Sequence, residues 1–257
     1  MLVMGLTAVL MLGLTAGPRR QAPAPRMQAQ ALAGDALLER SLLAARTCSL
    51  AFVPPAGMRY EPYAKGLSCV AQIEDPGSQS GATVFRTDAG ATILACRGSA
   101  SIKNFGTTTD IGPVPLIAAD GSRTSARVHR GFQRASTGMW PLLKPHLPAS
   151  GPLLLTGHSL GGGTATLLAL QCHAAGLEPE LITVAGPRLG DAAFAAHYRE
   201  RCGDAVHLVH DADDVLKVGV GVRVRVRVRV GVRARVRARV RVRVRVRVRV
   251  RPNHVRS

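Results

Sequence analysis

The chain has 257 residues, enough for one or two domains with a substantial core. At 46% hydrophobic and 19% charged, with 27 Gly and 16 Pro, its composition is that of a globular α/β protein and excludes a disordered or collagen-like chain. The formal charge of +18 points first to a polyanion binder, yet 15 of the 34 basic residues lie in residues 219–257 without one acid, and residues 34–218 carry 16 basic against 16 acidic side chains; the body is neutral, which argues against a basic nucleic-acid-binding fold.

Residues 2–16 form an apolar run that is short for a spanning helix, which needs about 20 residues. Gly17-Pro18-Arg19-Arg20 and a Gln/Ala/Pro/Arg segment follow, and no acid precedes Asp35. Residues 1–33 therefore read as a targeting leader, either a secretory signal or a two-part leader with a plastid-like transit segment; a single membrane anchor is the alternative. From Gly34 a helical pattern is expected, with Leu37, Leu38, Leu42 and Leu43 at turn spacing and Asp35 as a candidate cap. Residues 82–86 and 91–97 read as strands around the turn Asp88-Ala89-Gly90. Downstream the order is regular: strand 153–156, helix 163–175, strand 181–184, helix 192–201, strand 205–209. Strand–helix alternation at this spacing predicts a mostly parallel sheet with helices on both faces, and places chemistry at the C-terminal strand ends.

Residues 218–251 are essentially Val-Arg repeated. As a strand, the repeat would put valines on one face and like-charged arginines about 6.6–7 Å apart on the other, which opposes a monomeric sheet. The repeat could become ordered on an anionic surface, but it is most simply a translated nucleotide repeat, so residues 219–257 are set apart as a low-complexity tail. Cys48, Cys69, Cys96, Cys172 and Cys202 lack CxxC spacing, which argues against a zinc site. Their odd number leaves at least one thiol unpaired within a monomer.

The chemistry-bearing segment is Leu155-Thr156-Gly157-His158-Ser159-Leu160-Gly161-Gly162-Gly163. Gly-x-Ser-x-Gly between an apolar strand and a small-residue helix is the context a nucleophile elbow requires. Ser159 must project from a tight turn, Gly157 and Gly161 must let strand and helix crowd around it, and the helix start offers N–H groups to a developing oxyanion.

Three further segments accompany it in order. They are Cys96-Arg97-Gly98-Ser99-Ala100-Ser101-Ile102-Lys103-Asn104-Phe105, Val128-His129-Arg130-Gly131-Phe132 and Val184-Ala185-Gly186-Pro187-Arg188-Leu189-Gly190-Asp191. With these four motifs, residues 47–218 resemble the class 3 lipase family of fungal-lipase-like α/β-hydrolases. The resemblance implies a serine ester hydrolase acting on acyl lipids, triacylglycerol by default, without metal or organic cofactor, and able to bind a lipid interface. It implies Ser159 as nucleophile, the Leu160 N–H and Ser99 as oxyanion donors, and Ile102 and Phe105 as apolar lid positions, with Phe105 where the family usually has Trp. The triad acid should follow a later strand; Asp213 matches best, with Asp211 and Asp214 as fallbacks. His129 precedes the serine, the wrong chain order for the base, and is expected to be structural. The only histidine beyond Asp213 is His254, and its surroundings match no family pattern, so the fold is expected to be truncated at the C-terminus, without the segment that carries the family's histidine. The alternative expectation is therefore a catalytically impaired, lipid-binding relative.

Overall fold

The computed structural model describes residues 25–98, 112–210, 222–231 and 241–249, with side chains over 36–98 and 112–208. Its main sheet has eight strands: β1 (Leu67–Asp75), β2 (Ser80–Thr87), β3 (Thr92–Arg97), then β6 (Leu153–His158), β7 (Glu180–Val184), β8 (Val206–His210), β9 (Val222–Gly231) and β10 (Arg241–Arg249), adjacent in that order. Strands β4 (Pro113–Ile117) and β5 (Arg123–His129) form a separate antiparallel ribbon. Strands β3, β6, β7 and β8 run parallel, while β1 and β2 form an antiparallel edge. This is the expected α/β arrangement.

The alternation of β6 and its neighbours assigns each residue to a face. Leu94, Cys96, Leu155 and Leu181 pack with Phe132, Met139, Ala165, Leu168 and Phe194, which come from α3 (Arg130–Leu143), α4 (Leu160–Ala174) and α5 (Ala192–Cys202). Ile93, Ala95, Leu154, Ile182 and Leu208 face the other way, onto α1 (Pro25–Leu50) and the one-turn α2 (Pro55–Met58). Both faces of the parallel strands are thus dry, and each fully buried Leu or Ile contributes about 1.5–3 kcal/mol.

Helix α1 corrects the expected start at Gly34. It begins nine residues earlier, with Pro25 in its first turn, so Asp35 lies inside the helix and not at its start. The stretch Arg26-Met27-Gln28-Ala29-Gln30-Ala31-Leu32-Ala33 consists of strong helix formers, and proline is pre-organised at a helix start. The deepest positions of α1 include the small residues Ala44, Ala45 and Cys48 beside Leu50, with Leu37 and Leu43 packed partly buried against the same cluster; the small residues bring the helix close enough for Cys48 Sγ to lie 3.2 Å from Thr156 Oγ1 on β6.

The hairpin between β2 and β3 turns where expected. Gly90 takes φ +84°, its N–H donates to the Thr87 carbonyl, and the Thr87 N–H donates to the Ala91 carbonyl. The repeat departs from expectation. Strand β9 pairs parallel to β8, and β10 pairs antiparallel to β9, so the sheet runs on into the Val-Arg segment. The period of two and the β-propensity of valine favour this pairing, while its register sets Arg229 opposite Arg243 and Arg227 opposite Arg245.

Candidate active site

Strand β6 delivers the site. Leu153, Leu154 and Leu155 anchor it in the core, and the chain then reverses at Ser159 with φ 53° and ψ −123°. This left-handed backbone in a non-glycine residue is strained, and strain of this kind persists only where surrounding structure over-determines it. Two bonds pin the turn. The Ser159 N–H donates to the Val184 carbonyl at the end of β7, and the Gly162 N–H donates to the Ser159 carbonyl, both at 2.9 Å. Close packing explains the flanking glycines. A Cβ on Gly157 would stand 2.6 Å from the Gly162 nitrogen, and one on Gly161 would overlap the Cys96 carbonyl oxygen on β3.

Helix α4 begins at Leu160, immediately after the serine. N–H groups in a first helical turn have no intrahelical acceptor, and the helix dipole places positive potential there. Strand β3 leaves the sheet beside this turn. A Cβ on Gly98 would lie 2.8 Å from the His158 carbonyl oxygen and 3.8 Å from Ser159 Cβ, so only glycine fits where the chain passes the elbow toward Ser99.

The remaining motifs brace this point. The Phe132 ring lies over Gly163, where a Cβ would come 2.6 Å from Phe132 Cε1. His129 caps α3, its Nδ1 accepting from the Gly131 N–H at 3.2 Å, and its own N–H donates to the Leu189 carbonyl. This is the structural role expected of it. Asp191 caps α5, with Oδ1 accepting from the Phe194 N–H at 2.8 Å and from the Arg127 N–H of β5 at 3.3 Å. Asp191→Ala is expected to lower stability by about 1–2 kcal/mol, the usual worth of such a cap, as measured by urea denaturation; a loss below about 0.3 kcal/mol would refute this role.

Ser159 and Leu160 thus sit together at the C-terminal edge of the parallel strands. Ser99, Ile102 and Phe105, which follow β3, lie outside the described residues, as do Asp211, Asp213, Asp214 and His254. Strand β8 ends at His210, on the same edge as Ser159 with only β7 between, and Asp213 follows it by three residues. Two buried threonines escaped the sequence reading. Thr166 Oγ1 donates to the Gly162 carbonyl at 2.8 Å, and Thr183 Oγ1 lies 2.7 Å from His207 Nδ1 while its Cβ backs Gly162. The available signals were the four-residue spacing of Gly162 and Thr166 on one helix and the polar Thr183 within an apolar strand.

All five cysteines are free thiols. Burial pushes the Cys48, Cys172 and Cys202 thiols up to about 12 and raises Cys69 and Cys96 as well, so none supplies a thiolate to compete with Ser159 near neutral pH. Among the described residues, no group of three His, Cys, Asp or Glu side chains comes together to hold a metal ion.

A parallel sheet covered on both faces, with a strained serine between strand and helix, defines an α/β-hydrolase. The family model for lipase (class 3) matches residues 93–220. The chain belongs to the class 3 lipase family. It is 29% identical over 131 residues to a protein of Fusarium solani named secreted mono- and diacylglycerol lipase 1; the match takes in 48% of this chain and 38% of that relative's length. The fold matches lipase II from Rhizopus niveus with a TM-score of 0.62 at 21% identity, over 74% of this chain and 81% of that one. It also matches Lip2 lipase from Yarrowia lipolytica with a TM-score of 0.60 at 20% identity, over 75% and 80%.

Proposed function

We propose that the chain is a serine ester hydrolase that cleaves acyl esters of lipids. The observation that carries this reading is the strained Ser159 turn, clamped between Val184 and Gly162 at the start of α4. Ser159 Oγ attacks the ester carbonyl and loses its proton to a histidine base. The Leu160 N–H and Ser99 hold the tetrahedral oxyanion, and collapse expels the alcohol with the proton returned to it. Water, deprotonated by the same base, then releases the fatty acid. Asp213 orients the imidazole and stabilises its charged form. Ile102 and Phe105 belong to a lid that opens at a lipid interface. Acylglycerol is the favoured substrate class, consistent with the name of the Fusarium relative. That relative is secreted, which supports export through the leader in residues 1–33 and lends nothing to a plastid-like destination. In this reading residues 34–218 are the hydrolase domain and residues 219–257 a tail.

A second reading, a catalytically impaired lipid binder, is favoured by one observation. The family match ends at residue 220, and His254 is the only histidine past Asp213. Fluorophosphonate labelling with peptide mapping tests the hydrolase reading. A stoichiometric adduct on Ser159 is expected, and protein that remains unlabelled at Ser159 while folded would overturn it.

A further inference from the structure

Away from the elbow, on the sheet face covered by α4 and α5, lies an open cleft of about 620 Å³. Clefts of about 300–1,000 Å³ are the size that takes small organic ligands. Its walls combine two chemistries. Pro187, Ala192, Ala195 and Ala196 supply apolar surface over the buried Leu189 and Phe194, while Arg188, Arg199 and His207 supply cationic or hydrogen-bonding groups. Both arginines are exposed, and neither forms an ion pair with a described residue. The acid in the lining, Asp191, is committed to the α5 cap and the Arg127 N–H. Thr183 Oγ1, 2.7 Å from Nδ1, fixes the orientation of the His207 ring. A trough with apolar walls and two guanidinium groups that have no ion-pair partner among the described residues fits a single-chain amphiphile with an anionic head, because arginine matches a carboxylate in fork geometry.

We propose that this cleft binds a fatty acid anion, with its carboxylate at Arg188 and Arg199 and its proximal chain against Pro187, Ala192, Ala195 and Ala196. The inference deepens the hydrolase reading, since the ligand class is the acid which that reaction would release. The site is separate from the Ser159 edge but in contact with it. Thr166, another lining residue, donates to the Gly162 carbonyl, and Thr183 packs behind Gly162.

The test uses the full chain and a diazirine-bearing palmitate as photoprobe. Crosslinks are expected within residues 187–199 or at His207, displaced by palmitate and not by the uncharged alcohol of equal chain length. Arg188→Gln combined with Arg199→Gln is expected to weaken competition by palmitate about tenfold or more, with an unchanged thermal melt because both side chains are exposed. Crosslinks that map elsewhere, equal competition by the alcohol, or unaltered affinity in the folded double variant would each overturn the proposal. Ser159→Ala protein is expected to crosslink in the cleft as the parent does, so failure of the hydrolase reading leaves this result standing.

Discussion

Ser159→Ala is expected to lower kcat for a short-chain p-nitrophenyl ester by about 10⁶-fold, the cost of removing one member of a serine–histidine–acid set that acts as a unit. The residual rate would come from the oxyanion donors and substrate binding, which survive the substitution. Stability should hardly change, because Ser159 caps nothing with its side chain and the clamps at the turn are made by its backbone. The ratio of parent to variant also reports on the base. Members of such a set are grossly non-additive, so a chain that already lacks its histidine has little left to lose with the serine, and the ratio would fall near one. A ratio near one in folded protein would therefore select the impaired lipid binder over the hydrolase.

The parallel half of the fold was legible in the sequence because its elements are short, buried and regularly spaced. Leu153-Leu154-Leu155 and Leu181-Ile182-Thr183-Val184 are apolar runs bounded by turn residues, and each precedes a helical stretch. Elements that depend on partners distant in sequence were not legible. Strand β1 alternates poorly because its register slips between Cys69 and Ala71, so no period of two stands out. Helix α3 begins on Arg130-Gly131 and carries Pro141 inside, both poor helix signals, and is held by the His129 cap and the burial of Phe132, Met139 and Leu143. The start of α1 was misplaced because Asp35 looks like a cap, whereas the helix-forming residues before it decide where the helix begins.

The site divides along the same line. Ser159 was legible because an elbow needs glycine on both sides, and those glycines are local in sequence. What the sequence could not disclose is why the other motifs recur beside it. Phe132 lies on Gly163, the Leu189 carbonyl accepts from His129, and Gly98 fits against the His158 carbonyl, although these partners are up to 60 residues apart in the chain. The Thr183–His207 and Thr166–Gly162 bonds are likewise products of packing. Hydroxyl-bearing residues within apolar elements were the only trace of them in the sequence.

Gly161→Ala provides the sharpest test of that packing, because one methyl group separates it from the native side chain. The added Cβ would overlap the Cys96 carbonyl oxygen and come 2.8 Å from the Cys96 carbonyl carbon and 2.9 Å from that of Arg97. These are backbone atoms of the central strand β3, hydrogen-bonded to both neighbours, and they cannot turn aside as a flexible side chain would. Helix α4 would have to lift off the sheet, taking the Leu160 N–H and the Gly162–Ser159 clamp with it. Overpacking of a close contact costs about 1–3 kcal/mol. The upper end is expected here, lowering the melting temperature by about 6–12 °C for a domain of this size. Phosphonate labelling of Ser159 should slow at least 100-fold at temperatures where the variant is still folded, the loss that follows from displacing one oxyanion donor. Gly112→Ala is the control, since among the described residues a Cβ there meets only the Arg130 guanidinium, at an ordinary 3.6 Å, and should change stability by less than about 0.5 kcal/mol. Equal melting temperatures for the two variants would mean that α4 does not press on β3 at Gly161, and the account of the elbow given above would fail with it.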